Sequence, residues 1–218
     1  MNNLLPTRRD FYLGLLSGFL IGILALPIII TAKPDFPLSL AILVLPFFLI
    51  ATPVGLIVAY WLSLKVKAVW QVAKFGVIGV LNTLVDLGVL AFLIYIFRNW
   101  AIIKPEDILL NITFATLTFY TLYKAISFII ANINSYFWNK YWTFSQKISD
   151  KTSGEFFQFL TVSIVGFLIN VLVASFAFKH IQSSGLTSDQ WGLVSGVFGT
   201  FAGLAWNFIG YKFWVFKK

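Results

Sequence analysis

The chain has no cysteine and a single histidine, His180. The first absence excludes a disulfide framework, a thiolate metal site and a cysteine nucleophile, and the second excludes a histidine metal cluster. Charge is scarce too: Asp, Glu, Lys and Arg make up 11% of the residues, against about 25% in a soluble globule. Too few polar residues remain to cover a soluble core, so an ordinary soluble domain is excluded. Acidic groups are the scarcest, with 8 Asp+Glu against 16 Lys+Arg and a net charge of +8. On a soluble protein that excess would point to nucleic acid. Here the cations sit between long apolar runs, so the expected partners are membrane lipids and their phosphates, and no nucleic acid. No Asp-x-Asp metal pattern and no phosphate-cradling glycine loop occurs, and the stretch 147–155 is too short for a nucleotide-sugar domain. The chain is therefore expected to be no enzyme and to need no cofactor or metal.

What is abundant is apolar: 59% of the residues, with a mean hydropathy of +0.88. A bilayer core takes about 20 apolar residues as helix. Six runs qualify, at 11–32, 38–62, 72–97, 108–138, 156–179 and 190–214. The expected fold is all-α, a polytopic transmembrane helical bundle of six spans. Pro105 with Glu106 and Asp107 suits a first helical turn. Thr152-Ser-Gly-Glu155 and Thr187-Ser-Asp-Gln190 fit capping boxes. Positive charge in the connections sets orientation. Arg8, Arg9, Lys65, Lys67, Lys74, Lys140, Lys147, Lys151, Lys212, Lys217 and Lys218 fall on one side, and Lys33, Arg98, Lys104 and Lys179 on the other. Both termini are accordingly expected in the cytoplasm. Thr7-Arg8-Arg9-Asp10-Phe11 looks like a twin-arginine export signal, but the following apolar run is too long for one and no small-x-small cleavage site follows. The sequon Asn111-Ile-Thr113 stands at the start of a span, where glycosylation is not expected.

The last four spans read as two related pairs. Shifted by 87, Gln71-Val-Ala-Lys-Phe-Gly-Val-Ile-Gly79 aligns with Gln158-Phe-Leu-Thr-Val-Ser-Ile-Val-Gly166, and Asn82 and Asn170 follow one position out of step. Shifted by 72, Lys140-Tyr-Trp-Thr-Phe144 aligns with Lys212-Phe-Trp-Val-Phe216. Both copies share one orientation, which makes a parallel internal two-helix repeat, and transporter sites tend to lie at repeat interfaces. The domains expected are a membrane hairpin at 1–66 and a four-helix domain at 67–218, with repeats at about 70–146 and 155–218.

The Phe75-Gly76-x-x-Gly79 opening, the asparagines of the first helices and the paired closings Asn134 to Phe144 and Asn207 to Phe216 resemble the GtrA-like family over about residues 70–218. The resemblance implies a four-helix prokaryotic cell-membrane protein of cell-surface polysaccharide synthesis. It would move a polyprenyl-phosphate-linked sugar or the carrier lipid itself. It also implies a homodimer, by likeness in size to small multidrug transporters. Two other readings stand beside it: a scaffold that recruits a polyprenyl-phosphate glycosyltransferase, suggested by the added hairpin, and a small-molecule exporter.

Asp86 stands near the middle of the third apolar run, where a carboxylate needs a cavity or a partner. It is expected either to couple transport or contact a sugar hydroxyl, or to hold two helices together. Lys124 is the natural partner. A helix from 108 makes that pairing easy; a helix at 119–142 would leave Lys124 in the outer third and 108–118 as an extra segment. Asn82, Asn134, Asn170 and Asn207, with Asn132, offer amides that suit sugar hydroxyls or serve as interhelical glue. Lys140 with Trp142 and Lys212 with Trp214 are expected as seats for a lipid phosphate, or as ordinary interfacial anchors. Gly76, Gly79, Gly166, Gly196, Gly199 and Gly203 are expected to let helices pack closely, with Gly199-Thr-Phe-Ala-Gly203 serving the bundle or a dimer.

Overall fold

A computed structural model describes residues 7–32, 35–112, 115–146, 152–181, 185 and 188–217. Among them the chain is mostly helical: α1 (Arg8–Ala32), α2 (Leu38–Ala41), α3 (Val44–Ser63), α4 (Ala68–Trp100), α5 (Phe119–Trp138), α6 (Thr152–His180) and α7 (Ser188–Gly210). A hairpin, β1 (Ile108–Ile112) with β2 (Ala115–Thr118), precedes α5. Asn139–Thr143 and Tyr211–Val215 are wound as π-helix. Four segments among the described residues are long and apolar enough to cross a membrane: Arg8–Ile30, Leu38–Ser63, Ala68–Trp100 and Gly154–His180. Lys33, Lys147, Lys151, Lys218 and the box at Thr187 lie outside the described residues, as does the side chain of Thr152.

Contacts divide the chain into two compact units, Met1–Thr143 and Phe144–Lys218. In the first, α1 packs along α3, and α3, α4 and α5 follow as neighbours. The core joins Ile21, Leu56, Trp70, Ile78, Leu81 and Trp142. Close approach of α1 to α3 comes from Gly14, Gly18 and Gly22, four residues apart. A Cβ on Gly14 would stand 2.8 Å from Leu56 Cδ1, one on Gly18 3.1 Å from Thr52 Cβ, and one on Gly22 2.8 Å from Leu45 Cα. This small-residue stripe explains why the hairpin is tight. The second apolar run is broken at Ile42 and Leu43, because the ring of Pro46 opposes the carbonyl four residues before it and ends the short α2.

In the second unit, α6 packs on α7. A Cβ on Gly203 would lie 2.8 Å from Gly166 O, one on Gly199 2.8 Å from Ala174 Cβ, and one on Gly210 2.6 Å from Val162 Cγ1. The Gly199–Gly203 face thus serves the helix pair itself. Gly76 and Gly196 face open space instead, so the packing expected of them is not seen. Phe159, Tyr211, Phe144 and Phe216 close the end of this unit, with Phe159 stacked on Tyr211 at 4.1 Å between ring centres. The outward faces of both units carry large apolar residues, among them Phe47, Trp61, Phe92, Phe157, Leu172 and Phe201, all more than half exposed. Such faces belong in lipid.

The fourth apolar run differs from the helix expected over 108–138. Pro105-Glu106-Asp107 does not open a helix. It makes a turn in which Asp107 Oδ2 accepts the Lys104 N–H at 2.7 Å, and the carbonyls of Asp107 and Pro105 accept the N–H groups of Phe119 and Tyr120. Residues 108–112 and 115–118 then run as strands, with Thr116 Oγ1 donating to Asn111 Oδ1 at 2.6 Å across the pair. The helix starts at Phe119, where the repeat placed it. Hydropathy does not tell this stretch from a helix, and the signal that favours strands is its β-branched content, Ile108, Ile112, Thr116 and Thr118.

Candidate functional site

The helix α4 spans 33 residues, about 50 Å at 1.5 Å per residue. Lys74 and Arg98 bound its apolar stretch, and Asp86 stands twelve residues from each, about 18 Å along the axis. Its carboxylate is therefore at the middle of the span. Lys124 of α5 forms an ion pair with Asp86 Oδ2, and Ser127 Oγ donates to Asp86 Oδ1 at 2.6 Å. Ser127 is fully buried, while the side chains of Asp86 and Lys124 keep 21% and 41% of their surface open. The ring of Tyr123, one residue before Lys124, is centred 5.1 Å from that of Phe97, so this turn of α5 lies beside the C-terminal half of α4. The ammonium reaches back toward mid-span on its four-carbon arm. The late helix start and the pair with Asp86, read from sequence as alternatives, occur together.

The amides take separate places. Asn134 Nδ2 approaches Asn82 Oδ1 at 3.5 Å, one turn from Asp86. Asn132 donates to Phe128 O of its own helix at 2.8 Å. In the second unit Asn207 lies against Gly166, and Asn170 against Gly199 and Gly203. Geometry thus gathers Asp86, Lys124, Asn82 and Asn134 between α4 and α5, and gathers Asn170 and Asn207 between α6 and α7.

The two Lys-x-Trp-x-Phe motifs coincide with the π-helical turns, in each of which Lys is the second residue. Wide turns of this kind recur at functional sites because they rotate the side chains that follow. Lys140 is fully buried and donates to Tyr136 Oη at 3.0 Å, 5.3 Å from the centre of that ring. Lys212 is half-buried over Phe208 and Phe213, at 5.4 and 5.5 Å. Trp142 is buried, whereas Trp214 is 52% exposed. Tyr211 Oη and Ser163 Oγ share a hydrogen bond of 2.6 Å beneath the second turn.

One buried cluster escaped sequence reasoning. Asp10, in the first turn of α1, is 8% exposed, and Lys74 is 4% exposed. Lys74 Nζ donates to Asp10 Oδ1 at 3.2 Å and to Trp142 O at 3.1 Å, and lies 4.9 Å from the Trp70 ring centre. Trp142 Nε1 donates to the same Asp10 oxygen at 3.0 Å. Asp10 also closes a capping box: its Oδ2 accepts Thr7 N and Thr7 Oγ1, both at 2.9 Å, and its N–H donates to Thr7 Oγ1 at 3.2 Å. The Thr7-x-x-Asp10 spacing carried half of this signal. Lys74 had been counted only among the interfacial cations.

Residues 74–216 match the family described as GtrA/DPMS, transmembrane domain. Over 157 residues the chain is 30% identical to the uncharacterized membrane protein YngA of Bacillus subtilis (strain 168), covering 72% of this chain and 85% of that protein. No solved structure matches. With four long apolar helices and these two matches, the chain is a multi-pass membrane protein that belongs to the GtrA/DPMS transmembrane-domain family.

Proposed function

We propose that the protein translocates a polyprenyl-phosphate-linked sugar, or its carrier lipid, across a prokaryotic cell membrane for cell-surface polysaccharide synthesis. The observation that carries this reading is the ion pair of Asp86 and Lys124 at mid-span, partly open and flanked by Ser127, Asn82 and Asn134. Ionisable groups at that depth are costly and mark substrate or ion pathways. Their donors and acceptors match the hydroxyls of a sugar. Lys140 with Trp142 and Lys212 with Trp214 are the proposed phosphate contacts at the membrane rim.

The proposal takes six spans with both termini in the cytoplasm. With their π-helical turns, α5 and α7 cover 119–143 and 188–215, about 37 and 42 Å of helix, enough for a hydrocarbon core of about 30 Å. The parallel repeat is supported by the π-helical turn at the same place in both Lys-x-Trp-x-Phe motifs. We place the β1–β2 hairpin on the outer side and take the working state as a homodimer.

A flipping assay in proteoliposomes with labelled polyprenyl-phosphate sugar tests the reading. Asp86→Ala, and Lys140→Ala with Lys212→Ala, should each abolish translocation while the protein remains folded. Unchanged translocation in both would remove these residues from the machinery. A scaffold that recruits a glycosyltransferase is the second reading. It is favoured by α1 and α3, which lie outside the family match. Deleting 1–66 would then abolish co-purification with the enzyme and leave flipping intact.

A further inference from the structure

We infer that Lys74 and Trp142 form a seat for a phosphate oxyanion, and that Asp10 of α1 occupies it from within the chain. The inference deepens the lipid-phosphate reading, on which it rests for the identity of the ligand.

The seat is built before its occupant is considered. Lys74 Nζ is held by the carbonyl of Trp142 at 3.1 Å and by the faces of Trp70 and Trp142, at 4.9 and 6.0 Å. The Trp142 indole N–H is aimed at the same point, so that two donors converge on one oxygen, Asp10 Oδ1. Lys74 is the compact point charge suited to a phosphate. A buried ammonium needs an anion partner, and in this chain a carboxylate supplies it.

Seat and occupant come from different parts of the chain. Lys74 and Trp142 belong to the family match at 74–216, and Asp10 lies outside it, on the added hairpin. Asp10 is held in place by the Thr7 capping box and by Arg9, whose guanidinium donates to Tyr141 O at 3.0 Å. Arg9 therefore stands at the rim as a second cation for an incoming dianion. Beside the seat runs an apolar crevice lined by Phe11, Pro53, Leu56, Ile57, Tyr60 and Trp70. An anionic head at Lys74 with an isoprenoid tail in this crevice satisfies both surfaces. A free phosphate would use the seat alone. In either case the first turn of α1 must lift away, which makes the hairpin a built-in stopper.

The test uses the full chain in phosphatidylcholine nanodiscs, with farnesyl phosphate and inorganic phosphate as probes. Asp10→Asn and Asp10→Ser should each bind farnesyl phosphate at least tenfold more tightly than the natural chain. Adding Lys74→Gln to Asp10→Asn should cancel the gain. The swap Asp10→Lys with Lys74→Asp keeps an ion pair but reverses its polarity, and should bind neither probe. Competition by inorganic phosphate at equal concentration would identify a free-phosphate seat, and competition by farnesyl phosphate alone a lipid one; both support an oxyanion seat. The proposal is overturned if folded Asp10→Asn binds neither probe more tightly than the natural chain. If that variant does not fold, hydrogen exchange on the natural chain decides: amides 7–12 should exchange faster on adding farnesyl phosphate, and unchanged exchange overturns the seat. Binding is read without translocation, so the seat and the flipping activity can fail independently.

Discussion

Replacing Lys124 by Met keeps most of the side chain's length and removes its charge. Asp86 is then left at mid-span with Ser127 as its remaining hydrogen-bond partner. A lone carboxylate at the centre of a spanning helix costs roughly 3 kcal/mol, which sets the loss expected for Lys124→Met. The complementary change Asp86→Leu strands the ammonium. Lys124 starts beside the C-terminal half of α4 and has a long arm, so it can turn toward the nearer interface, and the loss should be smaller. Removing both charges leaves an apolar pair that no longer needs compensation. The double variant should therefore cost less than the sum of the singles, with a coupling of about 1–3 kcal/mol. Equilibrium unfolding by SDS in mixed micelles, followed by tryptophan fluorescence, measures all four corners of the cycle. Additivity within about 0.5 kcal/mol would refute the claim that the pair is formed and desolvated. If the pair also serves transport, the double variant should recover stability and still fail to flip lipid.

Two further predictions concern packing. Gly18→Leu places a branched side chain against Phe48 O and Thr52, where even a Cβ has no room. It should loosen α1 from α3 at a cost of about 1–3 kcal/mol, read as a lower unfolding midpoint and faster proteolysis of the 33–43 connection. Tyr211→Phe removes the hydroxyl shared with Ser163, which keeps its bond to Phe159 O. The loss should be about 1 kcal/mol in the same unfolding assay, and no loss would mean that the buried hydroxyl is solvated elsewhere.

Composition and run length were enough to place this chain in the membrane and to find most of its helices, because the preference of an apolar segment for lipid is a local, additive property. The repeated Lys-x-Trp-x-Phe motif was also legible in the letters, and so was its family. Asp86 could be singled out from its surroundings alone. Its partner could not: Lys124 is 38 residues away, and the sequence left the start of α5 open over eleven residues. That start depends on whether 108–112 pair with 115–118, a choice settled by the turn at Asp107 and cross-strand bonds rather than by hydropathy. The glycines of α1 were visible, yet nothing in them named α3 as the surface they meet. Asp10, Lys74 and Trp142 show the limit most plainly. They lie 64 and 132 residues apart along the chain, each with an ordinary local explanation as cap, rim cation or interfacial anchor. Only the folded structure brings them onto one oxygen, because burying a charge makes its partner obligatory and the partner is chosen by packing, not by neighbours in sequence.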